Sequence, residues 1–105
     1  MMEIEHWRSE IDEIDAEILR LLNMRARLAL KVGALKRSAR LPFCDPDRER
    51  YVLRRLQDIN TGPLDHRAVY KLFRRIIGES RRIQTNVAQT NIAQRTDFVR
   101  STKVS

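Results

Sequence analysis

The chain has 105 residues, 42% of them hydrophobic and 33% charged, which is one domain's worth of globular material and excludes a fibrous or membrane-embedded protein. Its 21 Lys and Arg against 14 Asp and Glu leave a net charge of +7, a balance that favours an anionic partner: nucleic acid, acidic lipid or a small polycarboxylate. The single cysteine, Cys44, excludes an internal disulfide; no apolar run approaches the roughly 18 residues of a membrane span, and "MMEIEHWRSE" lacks the apolar stretch of a secretory signal, so we expect a cytoplasmic protein.

Apolar residues of the first segment recur at Ile4, Trp7, Ile11, Ile14, Ile18, Leu21, Leu28, Val32 and Leu35. The spacing of three and four predicts one helix from about residue 4 to residue 37. Its end is marked by "RSARLPF", where Pro42 disfavours helix at the residue before it. Gly33 inside this helix costs about 1 kcal/mol relative to alanine; either a neighbour approaches closely there or the glycine is tolerated. A second helix opens at "DPDRER": Asp45 is a good N-cap, Pro46 suits the first helical position, and Asp47 and Glu49 place negative charge at the helix's positive end. It is predicted to run to about residue 58, before the turn "NTGP". The third begins after a second cap candidate, Asp65, carries Val69, Leu72, Phe73, Ile76, Ile77, Ile83 and Val87 at helical spacing, and fades after Ala88. Residues 1–88 therefore read as one all-α, three-helix domain and residues 89–105 as a polar, flexible tail.

A first helix of about 34 residues is a rod of roughly 50 Å, whereas a compact monomer of this size has a radius of gyration of about 13 Å. Two shorter helices cannot cover an apolar stripe that runs almost the whole rod. A second copy of the chain is the economical cover, and an intertwined homodimer is expected.

Each helix also places polar groups where its pattern calls for apolar ones. Arg25 occupies the stripe of the first helix, and Lys36, eleven residues on, falls within roughly 20° of the same face. Arg48 and Glu49 continue the stripe of Val52, Leu53 and Leu56; Ser80 and Gln84 follow Ile76 and Ile77 at successive turns. Burying an unpaired cation costs several kcal/mol, and an unpaired hydroxyl or amide about 1–3 kcal/mol. Singly, each has an ordinary reading: Arg25 as a register-setting or snorkelling residue, Ser80 bonded back to its own helix, Asp45 as a cap, Arg8 as a solvated surface residue. Jointly, three cations (Arg25, Lys36, Arg48) against one carboxylate (Glu49) leave a surplus of about two positive charges, which calls for an anion. Arg8, seventeen residues before Arg25, lies about 25 Å away along the rod; it reaches such a pocket only from a second chain.

The stretches "WRSEIDEIDAEILRLLNMRARLALKVGALK", "DPDRERYVLRRL" and "LFRRIIGESRRIQ" resemble, in this order and across about residues 4–88, the all-helical, AroQ-class (type II) chorismate mutases. The resemblance implies an intertwined three-helix homodimer that rearranges chorismate to prephenate on the route to phenylalanine and tyrosine, at two sites shared between chains. Position by position, Arg25 resembles the arginine that grips one substrate carboxylate, and Arg8, supplied by the partner chain, the one that grips another. Arg48 resembles a further cation near the carboxylates. Lys36 and Gln84 resemble the pair that bonds the ether oxygen of the breaking bond. Glu49 resembles the acceptor for the ring hydroxyl, with Asp45 nearby and Ser80 supporting a carboxylate. The reaction so implied is unimolecular and calls for no nucleophile, metal or cofactor. An isochorismate-pyruvate lyase on the same scaffold is the nearest alternative. A basic nucleic-acid or partner-binding module, suggested by Arg74, Arg75, Arg81 and Arg82 in "RRIIGESRR", is an alternative of another class.

Overall fold

The computed structural model describes the backbone of residues 2–96 and the side chains of residues 3–88. Three helices account for it: α1 (Met2–Ser38), α2 (Pro46–Ile59) and α3 (His66–Thr96). The all-α class and the long first helix are as the periodicity predicts.

α1 has 37 residues, with Glu3 and Glu5 in its first turn and Lys36 and Arg37 in its last, each sign complementing the helix dipole. It ends before Pro42 is reached. Arg40 N–H donates to the Arg37 carbonyl at 3.1 Å and Leu41 N–H to that of Lys36 at 2.8 Å, with Arg40 in the left-handed region at φ 56°. This is a Schellman turn in which arginine holds the position usually given to glycine.

α2 starts as expected: Asp45 Oδ1 accepts from the Arg48 N–H at 3.1 Å and Pro46 holds the first position. Asp65 does the same for α3, accepting from the Ala68 N–H at 2.7 Å. Between the helices, Asn60 Nδ2 donates to the Leu64 carbonyl and Asn60 Oδ1 accepts from the Gly62 N–H; Gly62, at φ +79°, supplies a conformation that side chains resist.

One boundary differs from the expectation. α3 does not stop near Ala88 but continues to Thr96, so residues 89–96, expected to be flexible, are helical. The apolar pattern fades there, yet "VAQTNIAQ" contains no glycine or proline, and alanine and glutamine propagate a helix without needing a buried stripe. Residues 97–105, the rest of the expected tail, lie outside the described residues.

α3 packs against both α1 and α2, which do not pack on each other. The core is correspondingly thin: Leu53 and Val69 are its buried hydrophobic residues. Most of the α1 stripe stays open, with Trp7 and Ile14 each 57% exposed and Leu28 60%. The radius of gyration is 18.7 Å, against about 13 Å for a compact chain of this length. No helix among the described residues is long and apolar enough to cross a membrane.

Candidate active site

The site begins where α3 crosses the second half of α1. Gln84 is only 7% exposed, and its Nε2 donates to the Ala29 carbonyl at 2.7 Å, using one of the two amide N–H bonds. Gly33 makes room for it: a β-carbon at that position would sit 2.9 Å from Gln84 Cγ. Of the two readings open for Gly33, close approach is therefore the operative one.

One turn before Gln84 on α3, Ser80 Oγ accepts from Arg25 Nη1 at 2.6 Å and itself donates to the Ile76 carbonyl at 3.2 Å. Ser80 thus bonds back to its helix and fixes Arg25 at once. Burial, and secondarily the charge of Arg48, push the Arg25 guanidinium below its ordinary pKa. An anion arriving beside it would relieve both penalties. At the end of α1, the turn through Arg40 brings the following loop back over the helix, where Lys36 Nζ donates to the Phe43 carbonyl at 3.3 Å. An ammonium has three such bonds to give.

The third wall is the first turn of α2. Asp45 caps it, Arg48 lies with its guanidinium 5.2 Å from the centre of the Tyr51 ring, and Glu49 turns inward. Glu49 meets two arginines of α3: Arg81 Nη2 donates to Oε2 at 2.9 Å, and Arg74 Nε lies 3.8 Å from Oε1.

Arg25, Lys36, Asp45, Arg48, Glu49, Ser80 and Gln84 all line one cavity of about 320 Å³, together with the apolar side chains of Leu28, Val32, Phe43, Val52 and Ile77. Arg81 lines it too, and sequence reasoning missed it by reading it into a solvated basic run. The available signal was its place four residues after Ile77 and three before Gln84. Four cations (Arg25, Lys36, Arg48, Arg81) and two carboxylates (Asp45, Glu49) leave two positive charges, 4 − 2, at the cavity. Fixed donors and a positive excess suit a small dicarboxylate and the stabilisation of developing negative charge. Arg8 is not brought there: it pairs with Glu5 at 3.0 Å on the exposed start of α1. Among the described residues, no group of three or more His, Cys, Asp or Glu side chains could hold a metal ion.

The family model for chorismate mutase type II matches residues 7–85. The chain belongs to this family. A bifunctional chorismate mutase/prephenate dehydratase of Neisseria gonorrhoeae is 51% identical over 72 residues, covering 69% of this chain and 19% of that one. A chorismate mutase of Methanocaldococcus jannaschii is 33% identical over 78 residues, covering 73% of this chain and 79% of that one. The crystal structure of a chorismate mutase from Helicobacter pylori in complex with prephenate is similar with a TM-score of 0.79 at 29% identity, covering 85% of this chain and 97% of that one. The chain spans about a fifth of the length of the bifunctional relative, while its own chorismate mutase type II domain is residues 7–85. That domain takes in all seven of the expected residues that line the cavity, and Arg8 and Arg81 as well.

Proposed function

We propose that the chain is a chorismate mutase working as a homodimer, with each cavity completed by the other chain's α1. The observation that carries this reading is the cavity itself: two uncompensated positive charges, a buried amide and a lysine around apolar walls. The family's relatives are named for this reaction, and one is seen with prephenate.

The rearrangement breaks the ether C–O bond of one molecule while a C–C bond forms between its ends, with no proton transferred. The protein's work is to hold the folded conformer and to stabilise negative charge growing on the ether oxygen. Arg25, buttressed by Ser80, takes one carboxylate; Arg48 and the partner chain's arginine at position 8 serve the other. Glu49 accepts the ring hydroxyl beside Asp45, and Lys36 with Gln84 donates to the ether oxygen. Both donors are held on backbone carbonyls, of Phe43 and Ala29, so little reorganisation accompanies the reaction.

The dimer is supported by surface. Ile4, Trp7, Ile11, Ile14 and Ile18 along α1 stay 48–57% exposed, a contiguous apolar face of the kind a second chain covers. Leu28 and Val32 belong both to the open stripe and to the cavity wall, so the cavity lacks a side wherever the stripe is bare. The basic run that suggested nucleic acid is largely engaged: Arg74 and Arg81 face Glu49, while Arg75 and Arg82 pair with Glu79.

The direct test is incubation of the purified protein with chorismate and, separately, with isochorismate. Prephenate from the first supports the proposal; pyruvate from the second alone assigns the chain to the lyase. Mixing inactive Arg8→Ala with inactive Arg25→Ala subunits restores activity only if one site draws on two chains, since one of the two sites in each hybrid dimer, and so about a quarter of all sites after random pairing, receives both arginines; no recovery refutes the shared site.

A further inference from the structure

The Glu49 carboxylate is only partly accessible, at 19%, and it is held from one side. Arg81 and Arg74 are seven residues apart on α3, two turns, so the same helix face presents both. Arg81 makes the close contact, 2.9 Å to Oε2, and its second terminal nitrogen, Nη1, lies 3.8 Å from Cys44 Sγ, in the residue just before the α2 cap. Its guanidinium therefore spans the loop and first turn of α2 from across the helix interface. The side chain also stands between two spaces: it lines the central cavity with Glu49, and it lines the outer groove with Glu49, Arg74 and Gly78.

A guanidinium meant to grip a substrate carboxylate presents its paired N–H bonds to the ligand. Here the two terminal nitrogens are directed to Glu49 and to Cys44 instead. We infer that Arg81 is a positioning residue, which fixes the Glu49 carboxylate toward the substrate's ring hydroxyl and acts on the reaction through Glu49 alone. The inference rests on the proposed role of Glu49 in a chorismate mutase. Misplacing a positioned group by about an ångström can cost as much as 10²-fold, so freeing one oxygen anchor should cost roughly tenfold.

A double-mutant cycle tests it, built in the 105-residue chain with Arg81→Ala, Glu49→Ala and the pair. Each is read as kcat and KM for chorismate and as the Kd for prephenate by titration calorimetry, which stays measurable when turnover is slow. Arg81→Ala is expected to lower kcat/KM about tenfold and to weaken prephenate comparably. In the Glu49→Ala background the same change should cost less than about twofold, and Arg81→Lys should recover part of the loss. Arg81→Gln, which keeps the start of the stem and a polar tip but removes the charge, runs in parallel in case the alanine variant fails to fold. Equal losses in both backgrounds would overturn the inference by showing that Arg81 acts independently of Glu49. A lowered melting temperature with unchanged kinetics would overturn it as well, reducing the pair to a structural tie. Wild-type protein that leaves chorismate untouched sinks the proposed function and this inference with it; turnover with an additive cycle sinks the inference alone.

Discussion

The two halves of α1 share one apolar periodicity and have opposite surroundings. From Ile4 to Leu22 every residue of the helix is exposed, with Ile4, Trp7, Ile11, Ile14 and Ile18 at 48–57%. From Arg25 to Lys36 it is crossed by α3, sealed at Gly33 and lined with charge. The contrast teaches that hydrophobic spacing marks a surface to be covered without saying by what. In the second half the cover is intramolecular and polar groups are admitted to the wall. In the first half the same spacing carries no polar interruption, as an interface between copies of one chain requires.

The most damaging way to challenge this division is Ile14→Asp. If the first half is the seam between chains, a charge there should abolish assembly, helicity and turnover together, as followed by sedimentation and circular dichroism. An unchanged dimer would mean the stripe is not the seam. The second half is broken differently: Lys36→Ala or Gln84→Ala should lower kcat by about 10²–10³-fold, the usual cost of a preorganised donor, while the helical signal and the dimer mass stay as they are. Gly33→Ala comes next. Because its β-carbon would fall 2.9 Å from Gln84 Cγ, we expect a stability loss of about 1–3 kcal/mol and a several-fold fall in turnover. A glycine that was merely tolerated would instead gain about 1 kcal/mol from the same change, so the melting temperature decides by its sign.

At the far end of the helix, Arg40→Gly should stabilise the protein by up to about 1 kcal/mol, because the left-handed backbone strains a side chain. The smallest effect is acidic. The Arg20 hydrogen bond holds the Glu17 carboxyl below its ordinary range, and that of Arg82 does so for Glu79. A carboxyl depressed in the folded state contributes stability that is present above the unfolded value, about pH 4.3, and lost as pH falls through the folded one. Melting curves between pH 6 and 3 should therefore show a small decline that Glu79→Gln and added salt both flatten.

Much of this was readable before any coordinates. Asp45–Pro46 and Asp65 announce two helix starts through local chemistry alone, because a cap is made within four residues. The clash of Arg25, Lys36 and Gln84 with their stripes announces a polar cavity, because burying such groups without partners is costly. Arg81 was not legible in that way: a charge flanked by Arg82 and two residues from Glu79 reads as solvated surface, and only the packing of α2 against α3 turns it inward to Glu49. The end of α1 was legible to within a residue, about 37 against Ser38, but its turn was not, since the arginine at position 40 occupies a place that glycine normally advertises. The extension of α3 to Thr96 escaped because propensity can carry a helix onward after the apolar pattern of its sequence has faded.

Asp45 carries a consequence for how freely this site could change. One carboxylate oxygen is committed to the Arg48 N–H at the start of α2, while the side chain also borders the cavity. Any adaptation to a different small molecule at that corner must keep a capping residue or weaken the helix start, by about 1 kcal/mol. Asparagine, serine, threonine and, at a small cost, glycine keep the helix start, whereas larger or apolar replacements carry that penalty, so selection at this corner leans toward a handful of letters whatever the ligand rewards.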